Sequence, residues 1–188
     1  MKGDEAAMGI ETNIEWAIHS IRLQDLIAGV ALEIGLTGEE VAEMVLFALL
    51  HDIGKQSIPD SILSKPGQFS ASESVIMQKH SEYGYLRLMY VARKIEKIAN
   101  WILIHHERWD GNGYPLGLRK HEIPLACRVL AVIDAYDAMT NDRVYRKAMP
   151  QKEVIAELVR CAGSQFDPEI VIAFIKLINQ TAAKKKEA

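Results

Sequence analysis

The sequence feature that most constrains the fold is the motif His51-Asp52-Ile53-Gly54-Lys55, which directly follows the apolar run 44–50. The apolar run predicts a buried helix, so an imidazole, a carboxylate and an ammonium group follow at the edge of a core. Burying such groups costs free energy unless a partner compensates them. A divalent metal bound by imidazole and carboxylate is one such partner. The alternative at this point is an ordinary core helix with a salt bridge at the surface.

The position of His51 and Asp52 limits how both could reach one ion. Adjacent residues on a helix diverge by about 100°, so the two side chains can converge only at a helix end or where other helices close around them. We expect Gly54 to provide that end, because glycine tolerates the left-handed conformation of a helix cap.

The composition indicates one soluble domain. The chain has 188 residues, 49% hydrophobic and 25% charged, with a net charge of −3, which argues against a general nucleic-acid binder. The N-terminus is polar and no apolar run approaches the roughly 18 residues of a membrane span, so we expect a cytoplasmic protein that does not bind membranes. The expected divisions are a flexible lead at 1–12, a domain at 13–180 and a charged tail at 181–188.

Helical periodicity continues along the whole chain, which predicts an all-α fold. The first helix should end at Gly35, and capping boxes start helices after Thr37 and Ser70. The Ser70 helix is expected to continue through His80. Further helices are expected at 95–107, after Pro124, at 151–162 and after the cap Asp167.

The candidate metal ligands come from five predicted helices. They are Glu15, His19, His51, Asp52, His80, His105, His106 and Asp134. Eight ligands exceed the roughly four of one structural zinc, so they suit two or three metals. A metal pair about 3.5–4 Å apart is a common device for hydrolysing phosphate esters. Taken singly, each of these residues has the ordinary alternative of a surface, capping or satisfied core group.

Two further patterns point to a ligand. Two glycines and a proline within 108–115 predict an irregular loop whose backbone can approach a ligand. The cation-rich run 143–147 is either a solvated face or a phosphate clamp. Asp134 and Asp137 lie in an apolar helix and need a partner, for which the candidates are Arg128, Arg143 or a metal.

Several motifs occur together in a definite order. They are His19-Ser20-Ile21-Arg22, His51-Asp52-Ile53-Gly54-Lys55, Ile58-Pro59-Asp60, Lys65-Pro66-Gly67, His80, and the runs 105–115, 137–147 and 163–168. This order resembles the HD-GYP family of metal-dependent cyclic-di-GMP phosphodiesterases, within the wider HD-domain phosphohydrolases, over about residues 14–180. The resemblance implies an all-α HD-domain bundle of about seven to eight helices around a di- or trinuclear metal site.

The resemblance also implies roles for individual residues. The family's metal ligands match His19, His51, Asp52, His80, His105, His106 and Asp134, with Asp52 as the bridging carboxylate. Glu15 matches a glutamate found in members with a third metal. Lys55 matches a lysine that contacts the substrate phosphate or assists the leaving group. The remaining substrate contacts implied are Gly113, Tyr114, Pro115, Arg143 and Lys147.

The implied activity is hydrolysis of the bacterial second messenger cyclic-di-GMP to linear pGpG, or onward to GMP, with Asp52 and Lys55 as catalytic residues. Iron or manganese is favoured as the metal. Three alternatives stay open: a receptor that binds cyclic-di-GMP without cutting it, an HD hydrolase for another nucleotide, and an interaction domain without metal. A homodimer and an attached sensor or receiver domain are also compatible with the family.

Overall fold

The part of the chain that the structure describes contains nine α-helices. The computed structural model covers the backbone of residues 2–91, 95–142 and 147–187, and the side chains from 18 to 183 within these ranges. The helices are α1 (Lys2–Glu33), α2 (Gly38–Leu50), α3 (Asp60–Leu63), α4 (Ala71–Gln78), α5 (His80–Val91), α6 (Glu96–Ile104), α7 (Leu125–Thr140), α8 (Gln151–Cys161) and α9 (Pro168–Glu187). Since α3 is a single turn, eight longer helices remain. The predicted all-α bundle is confirmed, and β pairing in these ranges is limited to an isolated bridge between Ala162 and Phe166.

Local sequence signals set several helix ends. Gly35 has a φ of 83° and follows α1. Thr37 and Ser70 form complete capping boxes at the starts of α2 and α4. At the start of α9, the Glu169 amide donates to Asp167 Oδ1 at 2.9 Å. These predicted boundaries are therefore confirmed.

The predicted role of Gly54 as a left-handed cap is wrong. Helix α2 ends at Leu50 with His51 as its cap in right-handed helical geometry, and Gly54 lies in a 3₁₀ turn at Ile53–Ser57 without a positive φ. A Cβ at Gly54 would lie 1.9 Å from the carbonyl oxygen of His80. Glycine is needed here because the turn packs directly on the backbone of α5.

The helix predicted to continue through His80 is broken in the structure. Helix α4 ends at Gln78, Lys79 is its C-cap, and His80 is the first residue of α5. The His80 ring donates from Nδ1 to the Met77 carbonyl at 2.7 Å. The side chain thus bonds one of the last carbonyls of α4, at the point where α4 ends and α5 begins.

Helix α7 lies at the centre of the bundle and contacts α1, α2, α6, α8 and α9. Its side chains Val129, Val132 and Ile133 have no solvent exposure. Burying each such side chain contributes about 1.5–3 kcal/mol. Because Asp134 and Asp137 follow on the same helix, core packing fixes the positions of both carboxylates.

The predicted division of the chain has its boundaries inside helices. The 12/13 boundary falls within α1, and the 180/181 boundary falls within α9. The division into lead, domain and tail stays a prediction. Across the described residues, the helices are all too short or too polar to cross a membrane.

Candidate metal centre

Three histidines at helix ends share one hydrogen-bonding arrangement. His51 caps α2, His80 begins α5 and His105 caps α6. In each, Nδ1 lies 2.7 Å from the carbonyl oxygen three residues earlier, on Ala48, Met77 and Ile102 in that order. A carbonyl only accepts hydrogen bonds, so Nδ1 carries the proton and Nε2 keeps its lone pair. The backbone therefore fixes the tautomer of all three rings.

The first ligand group, here called the triple-histidine group, consists of His80, His105 and His106. Their ligand atoms lie within 4.8 Å of one another. His80 Nε2 is 3.3 Å from His105 Nε2 and 3.1 Å from His106 Nε2. Burial and the charges of His51 and His80 lower the pKa of His105 to about 3, and burial also lowers the pKa of His80 and of His106. His80 and His105 both carry their proton on Nδ1, so their Nε2 lone pairs face each other and repel, and a shared cation removes this repulsion.

The second ligand group, here called the His-Asp group, consists of His19, His51 and Asp52, again within 4.8 Å. Asp52 Oδ2 lies 3.3 Å from His51 Nε2, and Asp52 Oδ1 lies 3.6 Å from His80 Nε2. Burial opposes ionisation of Asp52, but the charges of Lys55 and His51 hold its pKa well below the usual range. One ionised carboxylate thus faces both groups.

Asp134 and Asp137 hold the two nitrogens of His19. His19 Nε2 lies 3.3 Å from Asp134 Oδ1, and His19 Nδ1 lies 2.7 Å from Asp137 Oδ2. Burial lowers the pKa of His19, but the two carboxylates outweigh it and raise the pKa to about 9. Without a metal, His19 is therefore a cation between two acids, and a metal beside Asp134 would replace its Nε2 proton.

The donor chemistry fits divalent metals. Imidazole nitrogens and carboxylate oxygens suit iron, manganese and zinc, and the ligands must be deprotonated to bind. The triple-histidine group is already neutral near pH 7, and Asp52 and Asp134 both have a lowered pKa. The residues that would hold metal are the triple-histidine group, the His-Asp group and Asp134.

Two of the predicted substrate contacts lie beside the centre. Lys55 donates from Nζ to Asp52 Oδ2 at 2.6 Å. The Tyr114 ring stacks on His106 at 4.8 Å between centroids, with 25° between the planes, and the next residue, Pro115, follows a cis peptide bond. Burial and the Asp52 charge raise the pKa of Tyr114, so its hydroxyl stays protonated.

Gly113 is packed against the protein's own backbone. An added Cβ would lie 2.4 Å from the Arg108 amide nitrogen, 2.5 Å from the Glu107 Cα and 2.6 Å from the His106 carbonyl oxygen. The sequence suggested that this glycine lets the backbone approach a ligand. Its visible function is to let the loop turn back on the residues that follow α6.

Sequence reasoning missed Glu107, which organises the same loop. Its carboxylate is buried and accepts three backbone amides, from Leu116 at 2.7 Å, Gly117 at 3.1 Å and Leu118 at 3.0 Å. The Asp110 amide also donates to the Ser164 carbonyl at 2.8 Å, which links the loop to the turn before α9. The only signal in the sequence was a carboxylate directly after His105-His106.

The sequence also matches a known protein family. The HD domain family model matches residues 8–170. The chain belongs to the HD-domain family. This result confirms the family assigned from the order of motifs.

The individual proteins to which this HD domain is similar include phosphodiesterases. A cyclic di-GMP phosphodiesterase of Thermotoga maritima is 41% identical over 160 residues, which cover 85% of this chain and 44% of the relative. The 3′3′-cGAMP-specific phosphodiesterase 2 of Vibrio cholerae is 42% identical over 135 residues, which cover 71% of this chain and 26% of the relative. The chain therefore spans less than half the length of these relatives. The solved structure of an HDG"Y"P protein from Bdellovibrio bacteriovorus shares the fold, with a TM-score of 0.69 and 20% identity over 87% of this chain and 52% of that chain.

Two predicted site residues fall outside the described part of the chain, and a third lies at the surface. The Glu15 side chain and Arg143 lie outside the described residues, although the backbone at Glu15 is helical in α1. Lys147 is 93% exposed and donates to Asp142 Oδ2 at 3.2 Å. Its predicted phosphate contact therefore stays a prediction.

One of the candidate partners for the acids of α7, Arg128, requires correction. Asp137 pairs with Arg22 of α1, whose Nε lies 2.6 Å from Asp137 Oδ1, so the HD domain uses an arginine that the sequence did not suggest. Arg128 pairs instead with Asp167, at 2.5 Å. Asp134 has His19 as its neighbour, in agreement with a place in the metal centre.

Proposed function

We propose that this HD domain is a metal-dependent phosphodiesterase that hydrolyses cyclic-di-GMP to linear pGpG, with GMP as the product of a second cut. The observation that carries the proposal is the convergence of two ligand groups that share Asp52. The substrate is inferred from the names of the relatives, which are cyclic-dinucleotide phosphodiesterases. We further propose iron or manganese as the metal, a third ion held with Glu15, and a bacterial signalling role in the cytoplasm.

The chain's own residues hold and orient the substrate. Metals bound at this centre would supply an activated water and stabilise negative charge on the phosphate. Lys55 is oriented by its bond to Asp52, and its ammonium has two further protons to donate to a phosphate oxygen or to the departing 3′ oxygen. Tyr114, stacked on His106, can donate its hydroxyl proton to the same phosphate.

The remainder of a dinucleotide needs a surface beyond the metal ligands. A cavity of about 250 Å³ reaches from Asp134 to Ala135 and Gln165, and a second cavity of about 380 Å³ continues from these two residues to Met139 and Phe166. We propose that one nucleoside lies along this groove on α7. Met139 offers a polarisable face to a flat base, and Gln165 offers an amide to its edge.

A mixed cyclic dinucleotide is the second candidate substrate. It is favoured by similarity to the Vibrio cholerae relative, which is named a 3′3′-cGAMP-specific phosphodiesterase. A receptor that binds without cutting is disfavoured by the two ligand groups that converge on Asp52, because binding alone needs no metal centre.

The test is hydrolysis by metal-loaded protein, with products separated by chromatography. We expect the wild type to form pGpG from cyclic-di-GMP. Chelation of the metal and the substitution Asp52→Asn should each abolish this product. Asp60→Asn, which removes an exposed acid from α3, is the matched control and should be active. Intact cyclic-di-GMP with a fully loaded protein would refute the proposal, and faster turnover of 3′3′-cGAMP would favour the second candidate.

A further inference from the structure

Asp137 is a buried acid whose oxygens are surrounded by donors. Its side chain is 3% exposed. Oδ1 accepts from Arg22 Nε at 2.6 Å and from Asn141 Nδ2 at 2.9 Å. Oδ2 accepts from Arg22 Nη2 at 2.8 Å and lies 2.7 Å from His19 Nδ1. Two donors thus face each oxygen, and Arg22 holds the carboxylate plane with its rigid fork.

His19 differs from the three histidines that begin or cap a helix. His51, His80 and His105 receive their orientation from backbone carbonyls, which no substitution removes. The Nδ1 of His19 is held by the side chain of Asp137. Partners of this kind fix the tautomer of a ligating histidine and increase its basicity.

We propose that Asp137 and Arg22 are positioning residues for the metal centre. Asp137 holds the Nδ1 proton of His19 so that Nε2 faces the His-Asp group and Asp134, and Arg22 fixes the Asp137 carboxylate in the required plane. The inference rests on the proposed metal centre, but it concerns binding of the ion and can be tested without any turnover.

The substitution Asp137→Asn separates positioning from packing, because asparagine has nearly the same shape. Either orientation of the amide places its NH₂ group against two donors. When the NH₂ group takes the place of Oδ2, His19 can respond by releasing its Nδ1 proton, accepting at Nδ1 and keeping the proton on Nε2. Arg22 has no acceptor to offer, and rotating the Asn141 amide would break its 2.9 Å bond to the Asp137 carbonyl, so this orientation is favoured. The proton then occupies the nitrogen that must bind metal, as happens when an amide replaces the acid of a catalytic triad.

The experiment titrates Mn²⁺ into chelator-stripped, folded protein by calorimetry and records the histidine ¹⁵N spectrum of the metal-free state. In Asp137→Asn we expect binding at the His-Asp group to weaken about 10- to 100-fold, and the triple-histidine group to change less than about twofold. In the metal-free wild type the His19 ring carries a proton on each nitrogen, so the ¹⁵N spectrum of Asp137→Asn should show one histidine that has lost its Nδ1 proton and keeps the proton on Nε2. Arg22→Gln should weaken the same group by a smaller factor.

The control is Asp167→Asn, which breaks another buried Arg–Asp pair. Its partner Arg128 lies at 2.5 Å, and neither residue belongs to the two ligand groups. It should lower thermal stability but leave both Mn²⁺ affinities unchanged. Should Asp137→Asn fail to fold, Arg22→Gln decides the question by the same titration. Wild-type affinity in the folded variants would overturn the positioning role alone. No Mn²⁺ binding by the wild type would overturn this inference together with the proposed function.

Discussion

Replacing Gly54 with alanine places a methyl group where the structure has no room. The added Cβ would lie 1.9 Å from the His80 carbonyl oxygen and 2.5 Å from the Gly84 amide nitrogen, whereas real Cβ atoms essentially never come within 3.0 Å of such atoms. Both neighbours are backbone atoms, so neither can rotate away. The turn at Ile53–Ser57 and helix α5 must therefore separate by about 1 Å.

The cost follows from this displacement. Overpacking a filled site costs about 1–3 kcal/mol, and we expect about 3 kcal/mol because backbone must move. For a chain of this size, 1 kcal/mol corresponds to about 2–4 °C, so the melting temperature should fall by about 6–12 °C. Asp52 precedes the turn, so its 3.6 Å approach to His80 is lost as well. Ligand distances must hold within about 0.2 Å, so a shared ion should bind much more weakly.

The assay compares thermal unfolding with Mn²⁺ affinity in Gly54→Ala and in Gly38→Ala. A Cβ at Gly38 meets no atom within 4 Å, and alanine is the better helix former by up to about 1 kcal/mol. We expect this control to be at least as stable as the wild type, with both Mn²⁺ sites intact. If Gly54→Ala has the melting temperature and Mn²⁺ affinity of the wild type, this glycine does not set the distance between the triple-histidine group and the His-Asp group.

Three further predictions follow from the site. Glu107→Gln leaves one oxygen for three backbone amides and should lower the free energy of unfolding by about 1–3 kcal/mol. Denaturant unfolding measures this change, and an unchanged midpoint would contradict the role of Glu107 in the loop. Tyr114→Phe keeps the stack on His106 and should melt like the wild type, whereas Tyr114→Ala loses about 0.5–1.5 kcal/mol of ring contact; equal melting temperatures would contradict the stack. Since the pKa of His19 is raised to about 9, protons compete with metal below that pH, so Mn²⁺ affinity at the His-Asp group should rise by up to about tenfold per pH unit as pH increases. The triple-histidine group, with lowered pKa values, should show no such rise between about pH 6 and 8, and calorimetry in two buffers measures the protons released at each group.

The sequence predicted what depends on short-range signals. The capping boxes at Thr37 and Ser70 involve residues three apart, and a six-residue motif such as 163–168 is visible without a structure. The convergence of the candidate ligands was also predictable, because polar residues at the ends of apolar helices need a common partner. The structure brings seven of the eight together, and Glu15 stays a prediction.

What the sequence could not supply depends on contacts between distant segments. Arg22 and Asp137 are 115 residues apart, and the motif His19-Ser20-Ile21-Arg22 does not indicate that its arginine pairs with an acid of α7. The function of Gly54 depends equally on how closely α5 approaches the turn. The helix break before His80 was missed because α4 and α5 have compatible helical patterns, and the break is marked by the Lys79 cap and by the bond from the His80 ring to Met77.

The bonds from His51, His80 and His105 to backbone carbonyls explain why the centre is built from helix ends. Ala48, Met77 and Ile102 each lie in the last turn of a helix, where carbonyls lack an intrahelical partner. The histidine that satisfies such a carbonyl with Nδ1 ends or interrupts the helix and leaves Nε2 free to bind an ion. One hydrogen bond thus sets the helix boundary, the tautomer and the direction of the ligand. A histidine in mid-helix has no free carbonyl in reach, so three such rings could not be oriented by the backbone alone.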